Sequence, residues 1–285
     1  MGKLSPWERR YPAPAKLNLF LHVLGRRPDG YHLLQTAFRL IDRCDWLRFT
    51  PREDGEIRLA RAIPGIADDE NLAVRAARLL QCEGGAHAGV EIEIEKIIPI
   101  GGGLGGGSSN CATTLAVLNR LWGLGLSKEK LGEMALALGA DVPFFLFGRN
   151  AFGEGVGERL TPLELPPAWY LVLVPPVAVP TQAIFSSPEL TRNSKPIKMS
   201  GFSAGFGRND LEPVVCRRHA EVAAHLEWLR GFGDARLSGS GACVFVEFAT
   251  EREARAVLSR MPAEMCGFAV RGLDRHPLAA LLEQV

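Results

Sequence analysis

Pro99-Ile100-Gly101-Gly102-Gly103-Leu104-Gly105-Gly106-Gly107-Ser108-Ser109-Asn110 decides how the rest of the chain is read. It follows a strand-like run, Val90 to Ile94, and precedes a helix-like run, Cys111 to Leu121. Six of the seven residues from Gly101 to Gly107 are glycine. With so few Cβ atoms in the way, backbone N–H groups can converge on one point. Ser108, Ser109 and Asn110 then bring hydroxyl and amide groups to the start of a helix. A helix N-terminus combines free N–H groups with partial positive charge, and together these bind phosphate. The stretch reads as a phosphate cradle.

Other readings of the same glycines fit less well. A plain linker would not sit between a strand signal and a helix signal. Gly101, Gly103 and Gly106 match the spacing of a dinucleotide fingerprint, which also needs a strand ending in an acidic residue about 20 residues later. That place is taken by Trp122-Gly123-Leu124-Gly125-Leu126-Ser127-Lys128-Glu129, which is no strand. A Walker A loop needs Gly-Lys-Ser/Thr, and no lysine lies between Lys96 and Lys128.

Composition bounds the rest. The chain has 285 residues, room for one large or two modest domains. Hydrophobic residues make up 47% and charged residues 23%, as in ordinary globular proteins. A net charge of +1 gives no reason to expect nucleic acid or a membrane surface as partner. Cys44, Cys82, Cys111, Cys216, Cys243 and Cys266 are scattered, without C-x-x-C or a Cys/His cluster at metal spacing. Free thiols in a reducing compartment are the expectation. The first ten residues lack the apolar core of a signal peptide. Gly2 suggests myristoylation, but Pro6 stands where Ser or Thr is required. The longest apolar run, Trp169 to Pro180, is too short to span a bilayer. The expected location is cytoplasmic.

Two charges stand alone. In Pro14-Ala15-Lys16-Leu17-Asn18-Leu19-Phe20-Leu21-His22-Val23-Leu24, Lys16 is the only formal charge between Tyr11 and Leu24. The run alternates as a strand does, Leu17, Leu19, Leu21 and Val23 on one face, Lys16, Asn18, Phe20 and His22 on the other. By itself Lys16 equally suits an edge lysine that snorkels to water. In Leu136-Ala137-Leu138-Gly139-Ala140-Asp141-Val142-Pro143-Phe144-Phe145-Leu146-Phe147, Asp141 is the only charge. It is either a helix-end aspartate before Val142-Pro143 or a carboxylate in a low-dielectric site, where Lys16 would be its partner. Arg26-Arg27-Pro28-Asp29-Gly30 is a turn that delivers Tyr31 and His32. An aromatic ring can stack on a base and a histidine can read polar edges, although Tyr31 could equally pack beside the turn.

The remaining elements follow from punctuation. Thr36 to Thr50 and Glu56 to Leu59 read as strands joined by an Asp54-Gly55 hairpin turn. Asp69 to Cys82 is an amphipathic helix. Ser127 caps a helix to about Leu138. Ala151 to Gly157 is a glycine-rich strand or turn, and a boundary near Thr161-Pro162 separates units 1–161 and 162–285. The second unit opens with a strand from Trp169 to Val174 and a short helix near Val179 to Phe185. Ser186 to Gly207 is a long polar loop, the segment expected to be most mobile. Asn209 and Glu212 have capping-box spacing for helical chain to Leu229, and Thr250 and Glu253 for a helix to about Met261. Ala235 to Phe248 is a small-residue turn feeding a strand, and Gly267 to Gly272 a last strand. This order suggests an α+β second unit.

Three separated stretches form a set: Pro14-Ala15-Lys16-Leu17-Asn18-Leu19, the glycine loop with Ser108-Ser109, and Ser238-Gly239-Ser240-Gly241-Ala242. The set resembles the three-motif pattern of the GHMP kinases, the superfamily of galactokinase, homoserine kinase and mevalonate kinase. Pro28-Asp29-Gly30-Tyr31-His32, the extended Gly101–Gly107 run and Gly139-Ala140-Asp141-Val142-Pro143 resemble the branch that phosphorylates a cytidine diphosphate conjugate of methylerythritol. The likeness runs from about Pro12 to Leu278. It implies a two-domain α+β fold, an N-terminal ribosomal-protein-S5-like β/α domain and a C-terminal ferredoxin-like one, with small-molecule substrates between them. It implies ATP as phosphate donor, with Mg²⁺, and the substrate 2-hydroxyl as acceptor, on the methylerythritol phosphate route to isoprenoid precursors. By the same resemblance Lys16 and Asp141 are the catalytic pair. Pro99, Ile100, Gly101, Gly102, Gly103, Leu104, Gly105, Gly106, Gly107, Ser108 and Ser109 hold ATP. Tyr31 and Phe185 sandwich cytosine, His32 bonds to it, Asn18 lies near the reacting group, and Thr181 closes the pocket. Another kinase of the superfamily, acting on a different alcohol, and a non-catalytic ATP-binding protein of this fold remain the alternatives.

Overall fold

The computed structural model describes residues 5–202 and 207–283. The Gly2 reading, residues 203–206 of the polar loop and the extreme ends of the two expected units lie outside them.

The first unit is built on one long antiparallel hairpin, β1 (Tyr11–Arg26) and β2 (His32–Arg52). Strand β2 is its spine. One edge pairs with β1 along its length. The other edge pairs in series with β5 (Ala151–Gly155), β10 (Gly267–Leu273) and β4 (Gly89–Glu95). Strand β6 (Arg159–Pro162) folds back on β5. One face carries helices α1 (Leu72–Gly84), α2 (Gly106–Leu121), α3 (Lys128–Leu138) and α4 (Val142–Phe147) over a core that includes Phe38, Phe49, Leu115, Leu118 and Phe144.

The second unit has strands β7 (Trp169–Leu173), β8 (Arg236–Leu237), β9 (Val244–Phe248) and β10 in the order β10-β7-β9-β8, every pair antiparallel. Short α5 (Thr181–Phe185), then α6 (Glu212–Arg218) and α7 (Ala220–Arg230), lie between β7 and β8. Helix α8 (Glu251–Leu258) lies between β9 and β10. Strand order 4-1-3-2 with two βα crossovers is the split βαβ arrangement expected for a ferredoxin-like unit. A third apolar cluster joins the units: Leu17, Leu19, Phe20 and Ile41 of the first meet Tyr170, Val172, Phe245 and Val270 of the second.

Four local expectations are corrected. Strand β3 (Ile57–Leu59) pairs in parallel with β4, so Asp54-Gly55 is not a hairpin turn. The turn is closed by Asp54 Oδ1 accepting from the Glu56 N–H. Strand β4 takes the place beside β2, and only a glycine at position 89 lets the Glu56 backbone approach. The Asn209/Glu212 capping box does not form. The Asn209 side chain caps the Leu211 N–H, while Glu212 accepts from the Leu237 N–H and Arg230, and the helical chain breaks at His219. Helix α1 starts at Leu72 rather than at Asp69, because the Asn71 side chain caps it by accepting from the Ala73 N–H. Finally, a register shift between Asn18 and Phe20 breaks the alternation of β1. Phe20 joins the apolar cluster of Leu17 and Leu19, and Leu21 moves to the face of Lys16 and Asn18.

Candidate active site

The glycine loop is folded by contacts with the two other motifs. Helix α2 begins at Gly106, not at Cys111, so Gly106, Gly107 and Ser108 form its open first turn. Gly105 precedes it at φ +72°, a left-handed conformation that glycine adopts without strain. Gly103, at φ +73°, is pressed so closely against the third motif that a Cβ would stand 2.1 Å from the Ser238 carbonyl oxygen. The Ser238 hydroxyl donates to the Gly103 carbonyl at 3.1 Å and accepts from the Asn18 N–H at 3.3 Å. The Lys16 N–H donates to the Leu104 carbonyl at 2.9 Å. The Cys243 N–H donates to the Gly102 carbonyl at 3.1 Å. Three stretches far apart in sequence thus fix one another. Beneath them the Cys243 thiol is pushed up to about 12 by burial, which leaves it an inert packing group.

Lys16 is 2% exposed, which removes the reading of a snorkelling edge lysine. Its Nζ lies 3.4 Å from Asp141 Oδ2 and donates to Asn18 Oδ1. The Asn18 amide donates in turn to the Thr36 hydroxyl at 2.9 Å, which donates to the Phe20 carbonyl. This chain fixes the orientation of the Asn18 amide. Asp141 does stand at the N-terminal end of α4, but its carboxylate makes no capping hydrogen bond. It points to the lysine and is about one third exposed to the cavity.

Three adjoining cavities meet here. One, of about 290 Å³, is lined by Pro99 to Ser108 and by Asn71, Lys96 and Asn110. The central one, of about 340 Å³, holds Lys16, Asn18, Asp141, Ser108 and Ser240 and shares the glycine loop with the first. The third, of about 540 Å³, is lined by Tyr31, His32, Thr181 and Phe185, and shares Ala140, Val156, Thr181 and Phe185 with the centre. Ser108 faces both loop cavities, whereas Ser109 is fully buried behind the loop and lines neither. Asn71, Lys96 and Thr36 were not singled out from sequence. Ordinary polar residues in ordinary helices and strands carry no signal until the fold turns them to a cavity.

In the outer cavity Tyr31 is 62% exposed, an open aromatic face at the rim. The His32 and Phe185 rings lie 5.1 Å apart at 36°. Burial, then the nearby Arg192 and Arg26 cations, hold His32 below the usual histidine range, so its neutral form is favoured. The Thr181 and Ser240 hydroxyls are 2.7 Å apart and tie α5 to the third motif.

A glycine loop at a helix N-terminus, a buried lysine facing a carboxylate and an aromatic-lined cavity adjoin one another, an arrangement suited to a small-molecule kinase. Residues 71–149 match the GHMP kinases N terminal domain, and residues 192–266 the GHMP kinases C terminal region. The chain is 60% identical to the 4-diphosphocytidyl-2-C-methyl-D-erythritol kinase of Thiobacillus denitrificans, over 94% of this chain and 96% of that one. It is also 60% identical to the kinase of the same name from Nitrosospira multiformis, over 98% and 96%. A crystal structure of 4-(cytidine 5'-diphospho)-2C-methyl-D-erythritol kinase superposes with a TM-score of 0.81 at 35% identity, over 93% of this chain and 99% of that one. Mevalonate kinase of L. major, at 14% identity and TM-score 0.66, over 94% and 97%, shares the fold. The chain belongs to the GHMP kinases, in the family of the 4-diphosphocytidyl-2-C-methyl-D-erythritol kinases.

Proposed function

We propose that this phosphotransferase moves the γ-phosphate of ATP to the 2-hydroxyl of 4-diphosphocytidyl-2-C-methyl-D-erythritol, on the methylerythritol phosphate route to isopentenyl diphosphate. The observation that carries the reading is the position of the Lys16–Asp141 pair, between the glycine loop on one side and Tyr31, His32 and Phe185 on the other. Donor phosphates and acceptor hydroxyl would meet there.

Phosphoryl transfer needs positioning and charge neutralisation more than covalent chemistry. Pro99 to Ser108, with Ser109 behind them, cradle the ATP phosphates through backbone N–H groups and the Ser108 hydroxyl. Tyr31 and Phe185 stack on cytosine, and His32 bonds to its edge. Thr181, held by Ser240, closes the pocket, and Asn18 lies beside the acceptor. Asp141 orients the 2-hydroxyl and takes its proton as that oxygen bonds to phosphorus and ADP departs. Lys16 holds the Asp141 carboxylate in place and faces the charge of the transferring group.

Mg²⁺ suits the donors present. Ser108 and Asp141 both offer oxygen to the central cavity, and no group of three or more His, Cys, Asp or Glu gathers among the described residues. A hard cation held mainly by phosphates and water needs no more than such a pair. When bound, Mg²⁺ would supply positive charge that offsets the charge of the donor phosphates. Residues 1–161 would form the ATP-binding unit and 162–285 the second. Among the described residues no helix is long and apolar enough to cross a membrane, and we place the enzyme in the cytoplasm.

The test is ADP release from ATP and Mg²⁺ with and without the cytidyl conjugate, with mass spectrometry of the product. ADP that depends on the conjugate, with one phosphate added to it, is expected. Turnover with another small alcohol but not with this one would retain the kinase and reject the substrate.

A further inference from the structure

Arg192 lies in the polar segment after α5, in a stretch read from sequence as loop. Four of its five guanidinium N–H groups donate hydrogen bonds. Nη1 donates to the Leu190 carbonyl at 3.1 Å, and Nη2 to the carbonyls of Phe185 and Ser187 at 2.8 and 2.7 Å. Nε donates to His32 Nε2 at 3.1 Å. One side chain therefore anchors the backbone of Phe185 and the ring of His32, two members of the outer cavity.

The bond to His32 has a chemical consequence. A guanidinium has donors and no acceptor, so the nitrogen it meets must present a lone pair. His32 Nε2 is then unprotonated, and in the neutral ring the proton sits on Nδ1. The reverse tautomer would set two N–H groups against each other. A His32 held in one tautomer can offer its remaining ring nitrogen only as a donor. Cytosine presents an acceptor at N3, where uracil carries an N–H.

We infer that Arg192 is a positioning residue that locks His32 as the Nδ1–H tautomer and so makes the outer cavity select a cytidine over a uridine conjugate. This rests on the proposed cytidyl substrate. Selectivity would come from the pairing of donor with acceptor, because the two bases have nearly the same shape and stack alike. A site built to bond one pattern rejects the other through the unpaired polar groups it leaves.

Two variants separate the lock from simple support. In Arg192→Lys the partner of His32 is still donor-only. In Arg192→Gln the side-chain amide can accept as well as donate, and the lock is gone. Each is assayed with ATP and with the cytidine conjugate or its uridine counterpart, alongside histidine ¹⁵N NMR of the wild-type protein. The wild type and Arg192→Lys are expected to favour the cytidine conjugate. Arg192→Gln is expected to lose roughly 3- to 10-fold of that preference through KM for the conjugate, the size of one hydrogen bond, with KM for ATP unchanged. The wild-type His32 resonances are expected to show the Nδ1–H form. An Nε2–H form in the wild type overturns the inference even if the variants fail to fold. An Arg192→Gln enzyme with full cytidine preference overturns it too. A wild type that turns over neither conjugate defeats the proposed substrate instead, and the tautomer then judges the inference alone.

Discussion

Lys16 Nζ stands 3.4 Å from Asp141 Oδ2, the lysine buried and the carboxylate open to the cleft. The asymmetry fits a division of labour. Among the described residues Asp141 is the only anion within 4.0 Å of Lys16, while the exposed side of Asp141 remains free for an acceptor hydroxyl. Asp141→Asn keeps the shape and removes the base, and Lys16→Met keeps most of the volume and removes the cation. Each should lower kcat by at least about 10²-fold, the usual loss for a positioned acid–base group. ATP affinity, measured by calorimetry, should change little, because the glycine loop is untouched. A near-wild-type kcat in either variant would show that the pair has been misassigned.

Gly103 tests the knitting of the three motifs. Its φ of +73° is unfavourable for any side chain, and its Cβ position is 2.1 Å from a backbone oxygen that cannot step aside cheaply. Gly103→Ala should cost about 1–3 kcal/mol of stability, read by denaturant unfolding. It should also raise KM for ATP more than KM for the acceptor. Unchanged stability together with unchanged KM for ATP would mean that the loop does not depend on this contact.

The parts of the site legible in sequence were those where chemistry contradicts its surroundings. Lys16 and Asp141 are lone charges in apolar runs, and charges are not buried there without a reason. The glycine run announced a backbone that must approach something closely. The start of α2 was not legible. Glycine is a poor helix former, and Gly106 and Gly107 are helical because the loop is clamped between β1 and the third motif. The parallel pairing of β3 was equally hidden, since Asp54-Gly55 specifies a turn but not which strand lies beside it. The bulge in β1 moved Leu21 to the site face, and one extra residue leaves no trace in an otherwise good alternation. Arg192 sits in a polar stretch where one more cation attracts no notice. Its role exists only once α5 and the Tyr31–His32 turn are brought together.

The outer cavity should bind its ligand by stacking as well as by hydrogen bonds. Tyr31→Ala and Phe185→Ala each remove one aromatic face. A base stacked on an aromatic side chain is worth about 1–3 kcal/mol, so KM for the cytidyl substrate should rise by roughly 5- to 150-fold. KM for ATP should hold, because neither ring lines the loop cavity. If the two KM values rise together in steady-state assays, the rings support the fold and do not hold the base.

Acid should destabilise the protein through histidines that are kept neutral. His276 is buried and held down to about 3 by desolvation. Its Nδ1 accepts from the Leu278 N–H at 3.0 Å, a bond that protonation would break. His22 and His32 are lowered too, chiefly by burial. A histidine in the unfolded chain titrates near 6.5, so below that pH the unfolded state binds more protons than the native one. The stability these groups contribute is intact above about pH 6.5 and is lost as pH falls toward their native values. For His276 the loss should approach about 1.4 kcal/mol per pH unit between roughly pH 6 and 4. His276→Gln cannot gain this proton. Its unfolding free energy, followed by urea denaturation across that range, should fall less steeply than the wild type's, whatever its stability at neutral pH. Parallel pH profiles for the two proteins would show that His276 titrates normally in the native state.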